Sequence, residues 1–231
     1  MSTIRKDGIK ESDVSQQKEN EKLKQIGCFK VKEEIWEGCV TEYLLEKKLS
    51  QSRIDGRNGI NACTVIASIM AKAFLQEVAV LPAAGLPDAA LLSSFINSIR
   101  DGNLLYGSSL SARCSGLLGV HDVLKLWPSL KLQPKRNEDF MFHSQEKMEE
   151  DLSKWLSNIL ATKEDRAAVY IGSPYSFCVT VANGRVAVLD SHGHKGIGPI
   201  VAISLPEADR CKVAHYVSTC LERYFGIVIY D

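Results

Sequence analysis

A thiol, an imidazole, a carboxylate and a side-chain amide stand in this chain in an order that could carry acyl transfer. Cys63 lies in Gly59-Ile60-Asn61-Ala62-Cys63-Thr64-Val65-Ile66-Ala67, where small and apolar residues at helical spacing predict a helix over 61–76. A thiol attacks as the thiolate, and a helix start offers partial positive charge and N–H groups with no acceptor inside the helix. A neighbouring imidazolium adds more: in papain-type sites it takes a thiol pKa from about 8.5 to about 3–4. More than a hundred residues later, Asp190-Ser191-His192 supplies the imidazole and the carboxylate. Residues two apart on a strand face one side, so Asp190 is expected to fix the tautomer of the His192 ring. The second ring nitrogen would then face Cys63, and Leu189 and Ser191 would point the opposite way. The developing oxyanion needs donors as well. The Cys63 backbone N–H is one, and the amides of Gln51 and Asn61, twelve and two residues upstream, are candidates for the second.

Each piece also has an ordinary reading: a core cysteine, a polar turn, a surface glutamine. The order of the pieces is what favours chemistry. His194 is a rival to His192, and Asp190, His192 and His194 with a cysteine could instead hold zinc, although a metal site leaves the Cys63 helix unexplained. Cys114, in a Ser- and Gly-rich stretch, is the second candidate nucleophile, while Cys178 is expected to pack in a strand facing away from the site. His121, His143 and His215 are expected to be surface or satisfied core groups.

The order Gln51, Cys63, Asp190, His192, with the acid before the histidine as Asp-x-His, resembles the deubiquitinating protease domain of herpesvirus large tegument proteins and the related cellular and bacterial tegument-type deubiquitinases. Most papain-like proteases, OTU and USP enzymes included, place an Asp or Asn after the histidine. The resemblance spans roughly residues 49–204 and rests on the two short motifs. It implies a papain-like fold that cleaves after the C-terminal glycine of ubiquitin without a cofactor or metal. Cys63 would be the nucleophile, His192 the general base and then acid, Asp190 its orienter and Gln51 the oxyanion donor. The ubiquitin tail is extended, with arginines before its Gly-Gly end, so Asp55, Asp101 and Tyr106 are candidate groove contacts. The alternatives are a papain-like protease or acyl transferase with another substrate or ubiquitin-like modifier, and a non-catalytic ubiquitin-binding module.

The elements that must position these residues read as one α+β unit. The 231 residues are 45% hydrophobic, enough for a sizeable core. Lys plus Arg equals Asp plus Glu at 28 each, so no global field favours nucleic acid or an anionic membrane surface. No apolar run reaches the length of a membrane span, and the first residues are no secretory signal. Seven cysteines without a Cys-x-x-Cys spacing fit a reducing cytoplasmic or nuclear setting better than a disulfide scaffold, and a soluble monomer is expected. Residues 1–25 are charged and lack aromatics, which predicts a flexible tail before a single domain over 26–231.

Within that domain, apolar spacing predicts helices over 31–49, 61–76, 88–99, 120–127, 144–160 and 207–223. Asn61 or Gly59 is expected to cap the second and Asp88 the third. Residues 101–116 read as an irregular excursion whose Leu104-Leu105-Tyr106 either forms a partner surface or folds inward. Strands are predicted over 167–172, 177–181, 185–190, 200–204 and 226–230, with Asn183-Gly184 as a hairpin turn. The whole is a helix-rich first half whose central helix packs on an antiparallel sheet.

Overall fold

A computed structural model of the chain describes residues 23–76, 79–81, 87–110, 117–133, 145–162, 164–172, 175–193 and 197–225. Its strands are β1 (Leu23–Ile26), β2 (Phe29–Trp36), β3 (Val40–Leu45), β4 (Arg166–Gly172), β5 (Tyr175–Ala182), β6 (Arg185–Asp190) and β7 (Ile200–Ser204). They form one antiparallel sheet in the order β1-β2-β3-β7-β6-β5-β4. The helices are α1 (Cys63–Leu75), α2 (Ala89–Leu110), α3 (Val120–Leu126), α4 (Gln145–Thr162) and α5 (Arg210–Phe225). The class is therefore α+β.

Apolar residues alternate along the central strands and so build two cores. Cys178, Ala182, Ala187, Leu189, Val201 and Ile203 pack with α1, α2 and α3 on one face. Phe177, Val179, Val186, Val188, Ile200 and Ala202 pack with α4 and α5 on the other. Among the described residues no helix is long and apolar enough to cross a membrane.

Residues 31–49, expected as a helix, are the hairpin β2–β3 followed by a short 3-10 turn (Lys47–Leu49). All six residues of β3 are buried between β2 and β7, so the strand lacks the polar–apolar alternation of a half-exposed one. Its turn, Glu37-Gly38, has both residues at positive φ, 45° and 67°. Such turns are normally written Asn-Gly or Asp-Gly. Asn183-Gly184, at 52° and 70°, is one and makes the expected β5–β6 hairpin, but a glutamate in the left-handed region conceals the other.

The irregular excursion expected over 101–116 is helix as far as Leu110. Gly102 accounts for the difference: a Cβ there would come within 2.9 Å of the Ile66 Cα, so the glycine is the point where α2 crosses α1 closely. Its helix-propensity cost of about 1 kcal/mol is offset by a stripe of buried side chains at Leu92, Phe95, Ile99 and Tyr106. As expected, Asp88 caps the helix, its Oδ1 accepting from the Leu91 N–H at 2.7 Å.

The helices expected at 120–127, 144–160 and 207–223 stand as α3, α4 and α5. Leu23, Lys24 and Gln25, assigned to the tail, belong to β1. The rest of the tail, the 226–230 strand, Cys114, His143 and His194 lie outside the described residues.

Candidate active site

At one end of the sheet the N-terminus of α1, the first residues of β5 and the segment following β6 converge. The α1 helix begins at Cys63 itself, with Ala62 as N-cap and no side-chain cap bond. Asn61 therefore does not cap it. Gly59 contributes through its backbone, its carbonyl accepting from the Ala62 N–H at 2.9 Å. At the first helical position the Cys63 thiol stands where the helix field is strongest.

Asp190 and His192 meet as expected, although by another route than strand alternation. β6 ends at Asp190, and Ser191, His192 and Gly193 belong to no strand. Asp190 Oδ1 accepts from the His192 backbone N–H at 3.0 Å and pairs with the His192 Nδ1 at 2.6 Å. The first bond is an Asx turn, which folds the chain back and carries the ring onto its own carboxylate. The opposite side of the ring acts on the ionisation of the Cys63 thiol. The edge of the Tyr175 ring lies T-shaped against it at a centroid distance of 5.0 Å.

Ser176 completes the surroundings of the sulfur. Both its hydroxyl and its backbone N–H hydrogen-bond Cys63, and its hydroxyl lies 2.9 Å from that of Thr64, the next residue of α1. Burial pushes the thiol pKa up. The His192 imidazole, with Ser176, outweighs burial and holds the thiol below its ordinary value. Burial pulls His192 down, but the Asp190 charge and hydrogen bond, aided by the neighbouring Cys63, raise it to about 9. Both shifts favour a thiolate–imidazolium pair near neutral pH. Cys63 keeps 1% of its surface and His192 7%, so water screens the pair little. A carbonyl reaches the sulfur only when some covering atoms move.

Gln51 is buried beside this group, 2% exposed. Its Nε2 donates to the Ile60 carbonyl at 3.1 Å, and its Oε1 accepts from the Ser191 hydroxyl at 2.6 Å. Its backbone N–H donates to the Ser191 carbonyl at 2.9 Å. Its carbonyl accepts from the Asn103 amide at 2.8 Å and from the Gly59 N–H at 3.2 Å. The structure thus brings Gln51, Cys63, Asp190 and His192 into one cluster. Asn61, the other amide, is half-buried at the surface of the turn.

The remaining candidates are not drawn in. Asp55 is exposed and paired with Arg100 at 3.1 Å, and Asp101 is exposed on α2. The helix divides Leu104-Leu105-Tyr106: Leu104 is 48% exposed, while Tyr106 is buried. Cys178 packs under α1, on the face opposite to the one expected, and full burial drives its thiol pKa well up. His121 is exposed, and His215 pairs with Glu149 at 2.8 Å.

The sequence carries no signal for a role of Thr64, Asn103, Tyr175 or Ser176, and marks Ser191 only as pointing away from the site. Their contacts close over separations such as 52, 112 and 140 residues, with no local signal. Compared with known proteins, the chain matches no protein-family model, no curated protein and no solved structure. What this site does is therefore argued from its own chemistry.

Proposed function

We propose that the chain is a thiol hydrolase with a Cys63–His192–Asp190 triad, and that it is a papain-like deubiquitinase of the tegument type. The observation that carries the chemistry is the 2.6 Å Asp190–His192 pair beside a Cys63 whose thiol the imidazole helps to hold below its ordinary pKa. A core cysteine would resemble Cys178, buried with its pKa pushed up and no imidazole beside it.

The Cys63 thiolate adds to the carbonyl carbon of the scissile amide, forming the C–S bond while the π electrons move onto oxygen. The Cys63 backbone N–H and the Gln51 Nε2 donate to that oxyanion. Collapse breaks the C–N bond, and the leaving amine takes the proton from the His192 imidazolium. Neutral His192 then removes a proton from the water that attacks the thioester. The second collapse breaks the C–S bond and releases the carboxylic acid, which gives its proton to solvent, and leaves the thiolate–imidazolium pair in place. Asp190 holds the ring in one orientation throughout and stays ionised.

Ubiquitin as the substrate rests on the resemblance of the motif order. A ubiquitin bearing a C-terminal electrophile is expected to form a covalent adduct that Cys63→Ala abolishes. An adduct surviving in Cys63→Ala overturns the nucleophile. Alkylation of Cys63 by a small electrophile, with no reaction toward ubiquitin or ubiquitin-like probes, overturns the substrate and favours a protease or acyl transferase of other specificity.

A further inference from the structure

Ser191 stands between the acid and the histidine of the triad, yet its side chain serves neither. It is 2% exposed, and its hydroxyl reaches across 140 residues of sequence to the Gln51 Oε1 at 2.6 Å. We infer that Ser191 is a positioning residue for the oxyanion donor, anchoring the Oε1 end of a Gln51 amide whose direction the Ile60 carbonyl sets; this rests on the thiol-hydrolase reading above.

The direction of the amide follows from its neighbours. A carbonyl oxygen only accepts, so the amide end at 3.1 Å from the Ile60 carbonyl must be Nε2. The opposite end is then Oε1, and the Ser191 hydroxyl has to donate to it. A flipped amide would set Oε1 against the Ile60 carbonyl, two acceptors facing each other in a buried site, at a cost typical of an unmade buried hydrogen bond. A primary amide carries two N–H groups. Ile60 takes one, and among the described residues Nε2 has no other acceptor. Ile60 lies three residues before Cys63, so the amide flanks the turn that leads to the Cys63 N–H, the other oxyanion donor.

The backbone holds the same two segments together. Gln51 N–H donates to the Ser191 carbonyl at 2.9 Å, and a Cβ on Gly193 would fall 2.9 Å from the Ser50 Oγ. Ser191 thus ties the loop that carries the base to the loop that carries the oxyanion donor, and its side-chain bond holds the Gln51 amide in place at the Oε1 end.

The test compares wild type, Ser191→Ala, Gln51→Ala and the double variant in two reactions that need no identified substrate. Iodoacetamide alkylates Cys63 without forming an oxyanion, whereas N-acetylglycinal adds to give a hemithioacetal whose oxygen occupies the oxyanion position. Ser191→Ala is expected to weaken aldehyde affinity about 10-fold and Gln51→Ala about 10²-fold. Alkylation should stay within about two-fold in both, which also shows that the site remains folded. The double variant should match Gln51→Ala, because an amide that is gone needs no orienting. Wild-type aldehyde affinity in Ser191→Ala, with the loss retained in Gln51→Ala, overturns the role of Ser191 and leaves the hydrolase reading standing. A further loss in the double variant overturns it too, since Ser191 would then act by another path. Undiminished affinity in Gln51→Ala removes the oxyanion donor itself, and loss of alkylation in Ser191→Ala assigns the residue to general support of the site.

Discussion

At the scale of single residues, the reactivity of Cys63 is decided by opposed effects. Burial disfavours the thiolate, and His192 and Ser176 favour it more strongly. Alkylation of Cys63 followed against pH is therefore expected to reach half-maximum below the value of an ordinary thiol. In His192→Ala the burial penalty remains while its main opponent is gone, so the midpoint should move above that value, and turnover should fall about 10²–10⁴-fold. Ser176→Ala removes one donor and leaves the backbone one, so its alkylation midpoint should rise by less than in His192→Ala. A raised His192 stays protonated until pH passes about 9, so kcat/KM should decline there as the leaving amine loses its proton donor. Asp190→Asn removes the charge that lifts His192, and the declining limb should shift to lower pH with residual activity retained. A limb that stays in place in Asp190→Asn would show that Asp190 does not govern the base.

At the scale of elements, the close crossing of α1 and α2 holds the nucleophile helix against the sheet. Gly102→Ala places a methyl against the Ile66 backbone, where no side-chain rotation can relieve it. Overpacking of this kind costs about 1–3 kcal/mol, measurable as a lower urea midpoint. Leu104→Ala, two residues on and facing solvent, should change stability by less than about 0.5 kcal/mol. Equal effects of the two substitutions would contradict the assigned packing face. The same pair shows what local pattern can convey. Gly102 reads as a breaker until its neighbour is known, because a small residue at a helix crossing and a loop glycine look alike in sequence. Residues 31–49 mislead for a related reason: a strand buried on both faces has no period of its own. By contrast Asp88 and Asn183-Gly184 are legible, since each acts on backbone groups within two or three residues.

At the scale of the molecule, the site exists because segments far apart in sequence are locked at one end of the sheet. Gly193→Ala should push the His192 segment off Ser50 and cost about 10²-fold in turnover, as a displacement of order 1 Å does at a reacting centre. Its far-ultraviolet circular dichroism should remain that of the wild type. Retained turnover would show that the close Gly193–Ser50 approach is dispensable. What the sequence by itself determined is the chemical inventory: a cysteine at a helix start, an acid two residues before a histidine, an amide twelve residues ahead of the thiol, and the turn and cap signals of most elements. Those depend on covalent spacing and on hydrogen bonds that close within a turn. The strand end at Asp190 and the Asx turn that delivers the ring are of this local kind. Tertiary structure alone placed Ser176 beside the sulfur and let Ser191 reach Gln51, because such contacts close between segments more than a hundred residues apart and leave no periodic trace along the chain.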